Sequence, residues 1–274
     1  MIPFLLLQVG TVPAASPLDR RYQACLSLAT SDPKAAEAEA ERFRVAGGGA
    51  RARQCLAMAL VGEARWSDAA AAFEAAASDA DAAKDPLAAR YRAQAGNAWL
   101  AAGDPVKARA ALTVALAGQL TDFERGEALL DRARAAVANG DQAAARTDLD
   151  AALIAVPKDP LAWLLSATLA RRMNDLPRAA DDIQQALRLS PDDASVQFEA
   201  GVIAAASRDF IGARTAWQKA AKIAPAGTPI GDKARDALTA LAPVFVTAPG
   251  APTGPAPAPA PPPPAPPPAK PAGR

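Results

Sequence analysis

Cys25 and Cys55 are the only thiols in this chain of 274 residues, which contains no histidine. Zinc needs three or four Cys, His or carboxylate donors in fixed geometry, and a Ser or Cys nucleophile needs a base such as imidazole beside it. The two cysteines are far from C-x-x-C spacing. They are either two small apolar residues buried on neighbouring segments or one disulfide, and a disulfide requires export from the reducing cytosol. Paired carboxylates fare no better: Asp181 and Asp182 are adjacent, so on a helix they point apart. Gly47-Gly48-Gly49 is not followed by Gly-Lys-Ser/Thr, so it reads as a hinge and not as a phosphate loop. The charge runs Arg20-Arg21, Arg171-Arg172 and Asp181-Asp182 read as solvated faces. The expectation is a chain that is not an enzyme and holds no cofactor and no metal. A net charge of +1, with no basic patch interleaved with aromatics, argues against nucleic acid as a partner.

What the composition favours is thin helices lying close together. Hydrophobic residues reach 51% while aromatics are only 5%. Much of the difference is alanine, the best helix former and a residue that lets helices approach closely. The small residues are also periodic. Counted from Gly126, Pro160 and Ala194, the eighth place holds Ala133, Ala167 and Gly201, and the twentieth holds Ala145, Ala179 and Ala213. The twenty-fourth is bulky (Leu149, Ile183, Trp217), the twenty-seventh is Ala152, Ala186 and Ala220, and the thirty-second is Pro157, Pro191 and Pro225. Two looser copies start at Ala50 and Ala89, with Ala57, Ala69, Phe73 and Ala76, then Gly96, Ala108, Leu112 and Ala115. A fixed period of 34 residues is the mark of stacked helical hairpins. Turn chemistry agrees independently. Asp85-Pro86, Asp104-Pro105 and Asp159-Pro160 place a capping Asp before a helix-opening Pro, and Thr121 with Glu124 reads as a capping box. Gly103, Asn139-Gly140 and Asn174 suit the left-handed backbone at helix ends.

Residues 1–16 form an apolar start, either a cleaved signal or a disordered segment. No basic residue precedes its short run Phe4-Leu5-Leu6-Leu7, although Val12-Pro13-Ala14 resembles a cleavage site. The run is too short for a transmembrane helix. Residues 17–46 read as a degenerate hairpin and 50–227 as five repeats starting at 50, 89, 126, 160 and 194. Wider spacing between the first starts places longer loops at Ser78–Asp85 and Gly118–Thr121. Residues 228–242 read as a helix capping the last apolar face. Residues 243–274, with 13 prolines from Pro249 on, are expected to be a disordered, extended tail.

This pattern resembles the tetratricopeptide repeat. The tryptophans fall on its motif places: Trp163 at the fourth, Trp99 at the eleventh, Trp66 at the seventeenth and Trp217 at the twenty-fourth. There they pack helix on helix and are not read as ligand stackers. The resemblance implies an all-α, right-handed superhelical solenoid of helix hairpins, with protein–protein interaction through its concave groove. In the family, places two, five, nine and twelve of each first helix line that groove. Here those places include Arg51 and Met58, then Arg90 and Asn97, then Leu130 and Arg134. Leu161, Leu164 and Arg171 follow, and then Phe198 and Val202.

The surface so read turns apolar toward its C-terminal end, with an arginine series (Arg51, Arg90, Arg134, Arg171) beside it. It suits a peptide with apolar anchors and some acidic residues. The alternative is that the last helix, or part of the tail, covers the apolar stretch in cis. The terminal-carboxylate clamp of some cochaperone members does not carry over. Asn97 holds the ninth place, but Ala93 holds the fifth, and the neighbouring helices supply no matching Lys and Asn. The expectation is an adaptor for a protein or peptide partner, with homo-oligomerisation open, in the periplasm or outside a bacterial cell. The alternative is a cytosolic, self-associating scaffold of the same fold.

Overall fold

The computed structural model describes residues 16–246. The expectations for the apolar start and the proline-rich tail concern residues outside that range, except that 243–246, expected to belong to the extended tail, continue the last helix, which runs to Val246. The described residues form helices and no strand. In order these are α1 (Pro17–Ser31), α2 (Pro33–Val45), α3 (Gly49–Gly62), α4 (Trp66–Ala82), α5 (Ala88–Ala101), α6 (Pro105–Ala117) and α7 (Asp122–Ala138). They continue as α8 (Gln142–Ala155), α9 (Pro160–Arg172), α10 (Leu176–Leu189), α11 (Ala194–Ala206), α12 (Phe210–Ile223) and α13 (Pro229–Val246). Each odd helix from α1 to α11 packs against the even helix after it, and each even helix packs against the next odd one. Odd helices also meet one another, α1 with α3, α5 with α7 and α9 with α11, and α13 lies against α11 and α12. The fold is therefore a helical solenoid with the odd helices along one wall.

From α3 onward the same turn joins the two helices of each hairpin. Its left-handed residue is Ala64 (φ 57), Gly103 (φ 77), Gly140 (φ 77), Asn174 (φ 61) or Arg208 (φ 64). The next residue caps the following helix. In four turns it is an aspartate whose carboxylate accepts the N–H three residues on: Asp104 from Lys107, Asp141 from Ala144, Asp175 from Arg178 and Asp209 from Gly212. The α3–α4 turn departs at the cap, Arg65, where no side chain bonds the helix, and Ala64, like Arg208 in the last turn, is strained in the left-handed position. Both capping boxes, Ser16 with Asp19 and Thr121 with Glu124, are formed.

Three local expectations are corrected. Ser78–Asp85 is not a loop throughout, because α4 continues to Ala82, its last turns buried as Ala76, Ala77 and Ala80 around Tyr91. Asp85 and Pro86 precede α5 instead of opening it: Asp85 accepts the Leu87 N–H (3.0 Å) in a turn, and the helix starts at Ala88. Asp182 is not on a solvated face. It is 6% exposed and is bonded by the Ser166 hydroxyl, with Arg178 beside it. Thirty-four residues earlier, Asp148 is likewise buried and takes two bonds from Arg132 (2.9 and 2.7 Å). Such buried carboxylates are tolerated because each is paired and hydrogen-bonded.

The core follows the small–large register. Gly96 sits under Leu112, and Gly201 sits under the Trp217 indole, which donates to the Phe198 carbonyl (3.1 Å). At the N-terminal end, Cys25 of α1 and Cys55 of α3 are bonded as a disulfide. Their Cα atoms lie 6.0 Å apart, buried beside Ala40 of α2. The bond closes 30 residues and fixes the first hairpin to the second.

Candidate protein-binding groove

The residues expected along the groove do not share one environment. Leu130 is not a surface residue: it is 2% exposed, in the cluster with Leu149 and Leu169. Phe198 and Val202 pack with Trp217 of α12 and with Leu238 and Leu241 of α13, so for this pair the last helix is the neighbour. Leu164 is half-buried against the cluster around Ile183 and Val196, and Leu161 is 46% exposed.

The arginine series is present, but its members are engaged. Arg51 pairs with Asp19 of α1 and lies over the Tyr22 ring, 5.8 Å from its centre. Arg90 pairs with Glu124 of α7, and Arg171 with Glu199 of α11 (2.6 Å). Arg134 pairs within α7 with Asp131 (2.9 Å), which also accepts from the Asn97 amide of α5 (2.7 Å). These contacts tie odd helices to one another; they do not leave a free cationic stripe. Glu124 reflects this. Desolvation works to raise its pKa, but hydrogen bonds from Thr121 and Arg90 hold it below the usual carboxylate range.

Met58, Arg90 and Asn97 do converge. They line a hollow of about 570 Å³ between α3, α5 and α7, together with half-buried Trp66 and the exposed side chains of Phe123 and Glu127. A neighbouring hollow of about 620 Å³, against the loop from α8 to α9, shares Phe123 and Glu127. A smaller one of about 180 Å³ lies farther along, with Arg134, Val137, Thr168 and Arg172. Sequence reasoning missed Phe123. It stands in the first turn of α7, ahead of the repeat's first place, and is 65% exposed. The usable signal was the Thr121 cap, which starts α7 early enough to carry an aromatic to the rim. Partial burial in the hollow, followed by the carboxylates of Asp159 and Asp131, pushes the Glu127 pKa above its ordinary value. Among the described residues Glu127 has no hydrogen-bond or ion-pair partner.

The stacked hairpins and their register have a direct counterpart in sequence: a profile described as "Tetratricopeptide repeat" matches residues 130–172 and 164–228. Over residues 130–228 the chain matches the tetratricopeptide-repeat family. Its fold is similar to solved structures at low identity. One is PilF of Pseudomonas aeruginosa, with TM-score 0.64 and 14% identity over 81% of this chain and 99% of that one. Another is a chain of the APC/C hetero-tetramer Cut9–Hcn1, with TM-score 0.60 and 17% identity over 79% of this chain. This protein spans only 43% of that chain's length. A third is YrrB, described as a TPR protein with an unusual peptide-binding site, with TM-score 0.52 and 19% identity over 72% and 96% of the two chains. Identities this low carry the fold alone. No curated protein matches the sequence.

Proposed function

We infer that this protein is a non-catalytic adaptor that holds a protein or peptide segment against its odd-helix wall, at the hollow between α3, α5 and α7. The repeat fold is an interaction scaffold in general. The observation that carries the specific reading is the exposed Phe123 on the rim of two adjoining hollows, above apolar Met58 and Val61. Exposed aromatics at the edge of a concave apolar surface are what protein interfaces are built from. The C-terminal stretch is a weaker candidate, because α13 takes up Phe198 and Val202. That YrrB is described as having a peptide-binding site is in keeping with a groove of this kind. Among the described residues there is no group of three His, Cys, Asp or Glu side chains able to hold a metal, and no helix long and apolar enough to cross a membrane.

The buried Cys25–Cys55 disulfide supports placement in an oxidising compartment, such as a bacterial periplasm or the cell exterior, over the cytosolic alternative. The adaptor reading is tested with a photoreactive amino acid placed at position 123 or, as a control, at Ile154, which is 84% exposed on the second helix of its hairpin. Adducts formed in cells at 123 and not at 154 support it. Equal adducts at both positions, or adducts at 154 alone, refute it.

A further inference from the structure

We propose that the hollow between α3, α5 and α7 receives a lysine or arginine side chain of the bound segment, flanked by apolar residues, with Glu127 as its counter-ion. The proposal rests on the adaptor reading and adds the chemistry of the partner, which is opposite to what the arginine series suggests from sequence.

The argument begins with how this wall spends its charges. Two polar contacts link α5 to α7, Arg90 to Glu124 and Asn97 to Asp131, and each spans 34 residues. One repeat period is therefore the lateral step between the two helices. Applied to Glu127, the same step lands on Ala93, which lines the same hollow and offers nothing to pair with. One period in the other direction lands on Leu161, again without charge. Glu127 is thus the place where the lateral ladder of polar contacts is broken, and the break opens onto a cavity. Of the charges lining that cavity, Arg90 is already held by Glu124, and Asp131 is held by Asn97 and Arg134.

The hollow as a whole carries three carboxylates (Glu124, Glu127, Asp131) against one guanidinium. Lys158 and Asp159, which line the adjoining hollow beside Glu127, cancel one another in sign. Apart from the Gln94 and Asn97 amides, the remaining wall is apolar, with Met58, Val61 and the exposed Phe123 ring. A long cationic side chain satisfies both features, its methylenes lying on Phe123 and Met58 and its head group reaching Glu127. The raised pKa of Glu127 is what an unpaired carboxylate shows when it is partly desolvated and, secondarily, faces other carboxylates, and a bound cation opposes it. An acidic segment, in contrast, would meet a net negative hollow.

The test uses the full chain and three labelled peptides of the same length with Leu-Lys-Leu, Leu-Gln-Leu or Leu-Glu-Leu at their centres, measured by fluorescence anisotropy. The expected result is that the lysine peptide binds about five- to tenfold tighter than the glutamate peptide at low salt, with the preference shrinking as salt rises. Glu127→Gln brings the peptides to within about threefold of one another. Ala93→Arg, which restores the ladder in cis, removes the lysine preference as well. Preference for the glutamate peptide, an undiminished lysine preference in Glu127→Gln, or no binding of any peptide by the wild-type chain each overturns the proposal.

Equal binding of all three that Phe123→Ser abolishes overturns the charge proposal and leaves the groove reading standing. Equal binding that survives Phe123→Ser overturns both. Tighter lysine-peptide binding after Lys270→Gln and Arg274→Gln identifies the chain's own C-terminal residues as occupant and overturns the assignment to a partner. Binding that weakens as protein concentration rises does the same in favour of a second copy.

Discussion

Replacing Gly201 by Ala sets two rules against each other. In the middle of a helix the change ordinarily adds about 1 kcal/mol, because alanine has the higher propensity. At position 201 the new Cβ would stand 2.4 Å from both Cδ1 and Nε1 of Trp217, about 1 Å inside ordinary contact. The ring cannot swing away freely. It is 7% exposed, packed by Ala213 and Leu241, and anchored by its N–H to the Phe198 carbonyl. Overpacking of this kind costs about 1–3 kcal/mol, and loss of the indole hydrogen bond adds about 1. After the propensity gain, the expected net loss is about 1–3 kcal/mol, or roughly 2–12 °C in Tm for a chain of this length. Thermal unfolding followed by circular dichroism reads the loss, and tryptophan fluorescence reads the displaced ring. The decisive control is the same change in a Trp217→Leu background. There the pair becomes Ala over Leu, as at Ala133 and Leu149, and Gly201→Ala is expected to stabilise. A rise in Tm for Gly201→Ala with Trp217 intact would falsify the packing argument.

The left-handed turn residues give a second measurement. Arg208→Gly and Ala64→Gly each relieve a strain of about 1–2 kcal/mol at exposed positions, less about 0.4–1 for the freer unfolded chain, so both should gain about 0.5–1 kcal/mol. A loss in either would mean the side chain has a role the turn geometry does not show. The Cys25–Cys55 bond closes 30 residues, so a double change to serine is expected to cost about 3–4 kcal/mol, concentrated in α1 to α3 and seen as faster amide exchange there. Two titratable thiols in protein purified and denatured without reductant would show that the bond does not form. Glu127 has a native pKa above the ordinary 4.5, so the native state binds its proton more tightly than the unfolded state does. Its ionisation therefore disfavours the fold, and the penalty grows as pH rises from 4.5 through the native pKa. Glu127→Gln should raise stability at pH 7 and make no difference well below pH 4.5; the opposite trend in paired pH-dependent melts counts against an unpaired carboxylate.

How much of this was legible in sequence depends on the range of the interaction concerned. The helical class and the period were readable because the small–large pairing of places eight and twenty-four, as in Gly201 with Trp217 or Gly96 with Leu112, lies inside one hairpin. Caps such as Asp104, Asp141, Asp175 and Asp209 are more local still, each acting on a backbone N–H three residues away. Where the reading erred locally, a tertiary contact overrode the spacing: burial around Tyr91 carries α4 on to Ala82 through residues read as a loop.

The odd-helix wall was legible from the period, but the environment of its side chains was not, and the reason is physical. Sequence places name which side chains face the wall, but the charge that wall presents is what remains after neighbouring repeats have paired. Arg51, Arg90 and Arg171 each meet a carboxylate on another odd helix, 28 to 34 residues away. A residue-by-residue list counts the arginines and overlooks Asp19, Glu124 and Glu199, because these stand outside the places the motif assigns to the groove. On the proposed reading the recognition element is the mismatch that remains, Glu127 opposite Ala93. In a solenoid whose repeats pair laterally, specificity therefore resides where one repeat fails to answer its neighbour. Adding an arginine at position 93 should accordingly be stabilising and functionally silencing in the same molecule, a combination that neither a purely structural nor a freely solvated Glu127 produces.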